Sequence, residues 1–153
     1  MIRGAKGERT VSTADFFVDS FATTLEPGEI IREIVVPVEE AGVGTSYQKN
    51  VQPASGFAIV GVAVRIKRSG GKITLARIGM TGLSNIGYRA TAAEKVLEGT
   101  EGSLADVAMA AGLVSQGADA NSDLHASSDY RKHLAAVYAA RAINAALAAA
   151  GKA

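Results

Sequence analysis

The sequence has no cysteine and no tryptophan, only three prolines, and just 5% aromatic residues. Without cysteine there is no disulfide framework, no thiolate zinc site and no cysteine-ligated iron–sulfur cluster. Charge of one sign is also missing: 16 basic against 15 acidic residues leave a formal charge of +1. That balance excludes a generic nucleic-acid binder, which needs a strong basic excess. No uncharged apolar run approaches the roughly 18 residues of a membrane span; the nearest, residues 145–150, is much shorter. Residues 1–9 contain no apolar signal core, so the expectation is a cytoplasmic domain. What is abundant is small and aliphatic: 48% of the 153 residues are apolar. That length suits one domain able to bury a core unaided.

Two periodicities divide the chain. Residues 29–82 read as strands and residues 91–150 as helices, and strands followed by helices argue for an α+β fold rather than a βαβ series. Residues 8–11 read as a short strand, and residues 13–17 as a short helix from which Phe16, Phe17 and Phe21 reach inward. Glu26-Pro27-Gly28-Glu29 has the Pro-Gly order of a type II turn, leading into a strand over 30–36 that Pro37 stops. A second strand covers 44–51. A third, 57–67, puts Val60, Val62, Val64 and Ile66 on one face and Gly61 and Ala63 on the other, where their small size would admit a helix backbone. Arg68-Ser69-Gly70-Gly71-Lys72 turns the chain into a fourth strand over 73–80.

The helical half has local start signals. Thr91 and Glu94 have capping-box spacing, with Gly99 closing that helix; Ser103 and Asp106 open a second, closed by Gly117. A third starts at Ser127 or Ser128, with Tyr130, Leu134, Val137, Tyr138 and Ala142 recurring at helical spacing. The predicted architecture is therefore an antiparallel sheet of three to four strands with three helices on one face.

Independent catalytic machinery is missing from this pattern: there is no serine elbow, phosphate loop or histidine pair at metal spacing. His125 and His133, eight positions apart, read as surface or interface histidines. In the run from Ser122 to Arg131, Ser and Asp serve first as caps, and Tyr130 and Arg131 tie the loop to the sheet. The segment from Tyr47 to Val60 is the most informative. It has two strand-like ends around a loop of Gln, Pro, Ser and Gly, with Lys49 closing one strand and Phe57 opening the next. Taken on their own, the two residues suit either of two roles. One is a shared site for a planar, electron-accepting ligand; the other is a surface lysine beside a core phenylalanine.

Over nearly its whole length the sequence resembles the C-terminal domain of the FAD-binding medium subunit of molybdenum hydroxylases, of the carbon monoxide dehydrogenase and xanthine dehydrogenase kind. The resemblance rests on ordered pieces: Gly7-Glu8-Arg9 with Asp15-Phe16-Phe17, Leu25-Glu26-Pro27-Gly28-Glu29-Ile30, Tyr47-Gln48-Lys49, Phe57-Ala58-Ile59-Val60, Ala76-Arg77-Ile78 with Thr81-Gly82, Arg89-Ala90 with Glu94, and Ser122-Asp123-Leu124-His125 with Tyr130-Arg131-Lys132-His133-Leu134. It implies the fold just described for residues 1–153.

It also implies a function. The domain would close over the isoalloxazine of FAD, with Lys49 and Phe57 at the positions of the family's lysine and shielding aromatic. Electrons would arrive from a molybdenum large subunit and an iron–sulfur small subunit and leave to an external acceptor. An N-terminal FAD-binding domain, or a separate chain, would hold the dinucleotide, so this chain alone would not bind FAD tightly or be active. Two departures stand out: Gly56 replaces a usual acidic residue, and Val51, Gln52 and Pro53 carry no charge where the family's loop is basic. They keep a rival reading open, a cofactor-free interaction or dimerisation module that retains the fold without flavin contact.

Overall fold

The computed structural model describes residues 1–151, which form two compact units, the first Met1–Glu39 and the second beginning at Glu40.

The first unit is built from short pieces: β1 (Ile2–Gly4), β2 (Gly7–Arg9), α1 (Thr13–Phe16), β3 (Phe17–Asp19), β4 (Ala22–Thr23) and β5 (Ile30–Ile31). They make a three-stranded sheet in the order β2-β1-β5 and a separate β3-β4 hairpin. The predicted turn at Glu26 is present: the Glu29 N–H donates to the Glu26 carbonyl at 3.0 Å and Gly28 has a φ of 83°. The strand predicted over 30–36 shrinks to two residues. Apolar character favours a strand, but a ladder needs a partner, and β1 offers only Ile2 and Arg3 as facing positions. The phenylalanines are also corrected. Phe17 and Phe21 point outward, at 48% and 111% relative exposure, with Phe21 at a φ of 56°. Within Met1–Glu39, Ile2 is the sole buried hydrophobic residue.

The second unit carries a four-stranded antiparallel sheet in simple sequential order: β6 (Val43–Val51), β7 (Ala58–Ser69), β8 (Lys72–Thr81) and β9 (Tyr88–Arg89). Period-2 alternation decides its faces. Val60, Val62, Val64 and Ile66 of β7 and Ile73, Ala76, Ile78 and Met80 of β8 are all buried in one core. Helices α2 (Thr91–Leu97), α3 (Leu104–Leu113) and α4 (Ser128–Ala150) cover that face. Three helices on one face of an antiparallel sheet is the predicted arrangement, but the fourth strand is β9 rather than the predicted 30–36, whose remnant β5 belongs to the other sheet.

The helix starts show which signals are local. Ser103 and Asp106 form a complete capping box around the first turn of α3, because both partners sit within four residues of each other. Thr91 does not cap α2. Its N-cap is Ala90, and the Glu94 carboxylate instead accepts from the Ile78 N–H and from Arg89. The Ser127 side chain caps α4 by accepting the Tyr130 N–H at 3.2 Å. Helix α3 ends four residues before Gly117, the intervening chain forming a turn.

The close approach of a helix also falls elsewhere than predicted. Gly61 and Ala63 lie on the uncovered face of the sheet, and Ala63 is exposed. The backbone contact is made on β6 instead. A Cβ on Gly44 would stand 2.0 Å from the Ala146 carbonyl oxygen and 2.4 Å from the Ala150 nitrogen, so the alanine face of α4 rests directly on the strand. Helix α4 is long and apolar enough to cross a membrane by length and composition, with a hydropathy of 1.2. Its Ala135, Ala139, Ala142, Ile143 and Ala146 are nevertheless buried in the core of the unit.

Candidate functional site

Alternation along β6 sends its side chains to two different environments. Gln48 and Asn50 face the helices, where the Asn50 amide donates to the Tyr138 hydroxyl at 3.1 Å. Tyr47, Lys49 and Val51 take the opposite, uncovered face. Lys49 stands across from Gly61 in register. A Cβ on Gly61 would lie 2.8 Å from the Tyr47 hydroxyl oxygen and 2.8 Å from the Thr81 methyl carbon. The absence of a side chain there is what lets the tyrosine reach across β7 beside Lys49.

The ladder between β6 and β7 slips at its end. Asn50 pairs with Val60 but Val51 pairs with Ala58, leaving Ile59 as an extra residue in a bulge. Bulges re-aim the adjacent chain, and here the re-aimed chain is the loop that ends in Phe57. Gln52 braces that loop internally. Its N–H donates to the Phe57 carbonyl at 2.9 Å, its carbonyl accepts from the Gly56 N–H at 2.9 Å, and its side-chain oxygen accepts from the Ser55 N–H and hydroxyl at 2.6 and 2.8 Å. Gly56 has a φ of 73° with no atom close to where a Cβ would go. The glycine is thus favoured by backbone conformation rather than by crowding.

Lys49 closes the loop from below: its ammonium donates to the Gly56 carbonyl at 3.0 Å. No carboxylate pairs with Lys49 among the described residues, so its charge meets only a carbonyl dipole. Phe57, one residue beyond that carbonyl, is 77% exposed. The structure therefore brings the cation and the aromatic residue to one loop, and Phe57 is not the core side chain of the blander reading.

Behind the loop sits Arg131 of α4, at 5% exposure. Its guanidinium donates to the Ile59 carbonyl at 2.6 Å, to the Gly82 carbonyl at 2.8 Å and to Asp123 at 2.7 Å. The carboxyl of Asp123 is held below its usual range, chiefly by the N–H groups of His125 and Ala126, with Arg131 adding to the effect. Arg131 thus fixes the bulge residue from behind, the tying role expected of it. Tyr130 does not share that role; it is 49% exposed. His125 and His133 are exposed, and no metal-ligating cluster occurs among the described residues.

A shallow depression of about 520 Å³ lies on the uncovered face, with Thr45, Tyr47, Ala63, Arg65, Arg77 and Arg89 in its lining. Lys49 and Phe57 do not line it. Its arginines are largely engaged. Arg77 pairs with Glu98 at 2.8 Å, and Arg89 pairs with the buried Glu94. That bond raises the pKa of Arg89, while the Ala76 N–H, ahead of Arg77, lowers that of Glu98. Tyr88, whose hydroxyl donates to the Val114 carbonyl at 2.9 Å, is pushed by burial up to about 12. Sequence reasoning assigned no role to Tyr47 or to this arginine row. The available signal was the same period-2 count that placed Gly61 and Ala63, since Arg65 and Arg77 share their face.

A family model for the CO dehydrogenase flavoprotein C-terminal domain matches residues 45–146, which includes β6 from Thr45 onward, the loop, Arg131 and the greater part of the second unit. The chain belongs to this family. The carbon monoxide dehydrogenase medium chain of Afipia carboxidovorans is 33% identical over 147 residues, covering 96% of this chain and 51% of that protein. The glyceraldehyde dehydrogenase medium chain of Sulfolobus acidocaldarius is 32% identical over 142 residues, covering 93% and 50%. A solved structure of reconstituted CO dehydrogenase from Oligotropha carboxidovorans superposes with a TM-score of 0.91 at 32% identity, covering 97% of this chain and 52% of that one. The chain thus spans about half the length of the curated relatives it matches, and it corresponds to the C-terminal part of the flavoprotein.

Proposed function

We propose that the chain is the lid portion of a flavoprotein subunit in a molybdenum hydroxylase complex, placing Lys49 and Phe57 at the isoalloxazine of FAD. The observation that carries this reading is the uncompensated Lys49 ammonium fixed to the Gly56 carbonyl beside an exposed Phe57, in a chain of the flavoprotein C-terminal domain family. These residues fit one side of a flavin: an aromatic ring free to pack on a planar face, and an ammonium with donors to spare for a ring oxygen. Contacts to the adenine and diphosphate would come from an N-terminal FAD-binding domain or a separate chain, as the half-length match suggests. FAD, when bound, would supply the redox chemistry between the iron–sulfur and molybdenum subunits and an external acceptor.

What this chain contributes is electrostatic and steric. A fixed cation favours a reduced, negatively charged ring, because charge near a cofactor tunes its electronics. A hydrogen bond to a charged group contributes about 1.5–3 kcal/mol, and for one electron about 1.4 kcal/mol corresponds to about 59 mV. In a complex with an FAD-bearing N-terminal half, Lys49→Ala should therefore lower the flavin potential by about 60–130 mV, and Phe57→Ala should change the flavin fluorescence. An unchanged potential removes Lys49 from the site.

A second reading is favoured by Gly56 and the uncharged, self-braced loop at Val51, Gln52 and Pro53: a module that keeps the fold for assembly alone. A complex that forms with the FAD-bearing half but shows no response of the flavin to either substitution supports this rival.

A further inference from the structure

Strand register puts an electrostatic cost on the uncovered face of the four-stranded sheet. Arg65 of β7 and Arg77 of β8 stand directly opposite each other, and like charges in facing positions destabilise a sheet. Acids lie beside this row rather than in it. Glu98 pairs with Arg77, Glu94 pairs with Arg89, and Glu40, which also feels Arg65, pairs with Lys67. The first two pairs orient their guanidinium groups without exhausting them. Arg77 bonds through Nη1 alone and Arg89 through Nε and Nη2. Nε and Nη2 of Arg77 and Nη1 of Arg89 therefore keep donors to offer.

One row along the strands, the same face is almost bare. Tyr47, Ala63, Gly79 and Arg89 are in register across β6, β7, β8 and β9. Only a methyl group and a hydrogen occupy the two middle positions. Three strand spacings of about 4.8 Å leave a floor about 14 Å wide between Tyr47 and Arg89, with the Arg65–Arg77 row about 7 Å away. A Cβ on Gly79 would meet nothing nearer than the Ala63 Cβ at 3.9 Å, so no neighbour excludes a side chain there. Glycine inside a strand weakens it and marks a place where something approaches the backbone closely. The depression above this floor holds about 520 Å³, within the range of about 300–1,000 Å³ for small-molecule sites.

We propose that this face binds a small planar molecule carrying a phosphate or carboxylate. The oxyanion bridges Arg65 and Arg77, and the ring lies on Ala63 and Gly79 between Tyr47 and Arg89. Guanidinium forks match both oxyanions with paired, charge-assisted hydrogen bonds, and the bound charge relieves the repulsion between the facing arginines. Tyr47 leans over Gly61, so its ring closes one end of the floor. The proposal uses neither Lys49, Phe57 nor a flavin, and it stands or falls apart from the flavin reading.

The test titrates the 153-residue chain with phenyl phosphate and with benzoate. Backbone amides and arginine Nε–H signals are followed by NMR, against phenol and sodium chloride at matched ionic strength. Saturable shifts centred on Arg65, Arg77, Arg89 and the amides of Ala63 and Gly79 are expected, and the tighter ligand names the head group. Arg65→Gln and Arg77→Gln should each weaken binding at least about tenfold, since a hydrogen bond to a charged group is lost. Gly79→Val keeps every charge and suits a strand, yet it fills the floor. It should abolish the response to phenyl phosphate while inorganic phosphate still shifts the arginine signals. Shifts that follow ionic strength alone, or that spread over the surface lysines, mean an adventitious ion only and overturn the proposal. Unaltered phenyl phosphate binding by the Gly79→Val protein also overturns it. Polyglutamate that binds the same arginines and resists displacement by phenyl phosphate assigns the face to an acidic polypeptide instead. Binding that disappears in complex with an FAD-bearing N-terminal half overturns it too, because the face is then an internal interface.

Discussion

Replacing Gly44 by alanine tests the contact that seats α4 on the sheet. The added Cβ would lie 2.0 Å from the Ala146 carbonyl oxygen and 2.4 Å from the Ala150 nitrogen, where ordinary contact begins at 3.4 Å. Both obstacles are backbone atoms of a 23-residue helix, so no side chain can swing aside. The end of α4 must therefore retreat from β6 by about 1.4 Å. A gap of 0.5–1 Å already forfeits about a quarter to a half of a dispersion contact, and Ala142, Ile143 and Ala146 all sit in the affected interface. Overpacking of a core typically costs about 1–3 kcal/mol. The rigidity of the obstacles puts Gly44→Ala at the upper end, about 3 kcal/mol, or about 10 °C in Tm for a unit of this size. The assay is thermal unfolding by circular dichroism and calorimetry, with Gly112→Ala as the control. Gly112 lies in α3 with open space around it, and alanine there should be neutral or stabilising by up to about 1 kcal/mol. A Gly44→Ala protein that melts within about 3 °C of the parent would refute the direct seating of α4 on β6.

Two further predictions concern charged groups. The Glu29 carboxyl is lowered to about 2 from 4.5, first by the hydrogen bond from Arg9 and then by the Glu26 N–H. A folded-state pKa below the unfolded one gives stability that is fully present above the unfolded value and is lost as pH falls through the folded one. The first unit should therefore loosen between about pH 4.5 and pH 2, seen as faster amide exchange near β1 and β5, and Glu29→Gln should flatten that acid dependence. Arg131→Met would strip two carbonyls and Asp123 of their shared donor. The expected cost is about 2–3 kcal/mol, with faster exchange at 57–60, whereas an unaltered melt would show that the guanidinium does not hold the bulge.

The CO dehydrogenase flavoprotein frame was legible because its signals are short-range. Alternation along 60–66 grouped Val60, Val62, Val64 and Ile66 on one face of β7, and Ser103 with Asp106 marked the start of α3, since each signal is complete within a few residues. Lys49 and Phe57 could be picked out as neighbours across a loop. That the lysine would reach the Gly56 carbonyl, and that the aromatic residue would face outward, depended on a one-residue bulge at Ile59.

Elsewhere the same kinds of residue were redirected by distant partners. Glu94 left the capping position because a sheet N–H and Arg89 outbid Thr91 for its carboxylate. The apolar run at 34–38 had the composition of a strand but no ladder to join. Gly61 and Ala63 looked like a helix seat, yet Gly44 receives the helix, because periodicity separates two faces without saying which neighbour each will meet. Sequence by itself determined the order of the three long strands and the three helices that follow them, the grouping of the core stripe, and the family. Only the tertiary structure decided which face is covered, which glycine bears a backbone, and where an ammonium finds its acceptor. Those outcomes depend on contacts between residues far apart in the chain, which local periodicity does not encode.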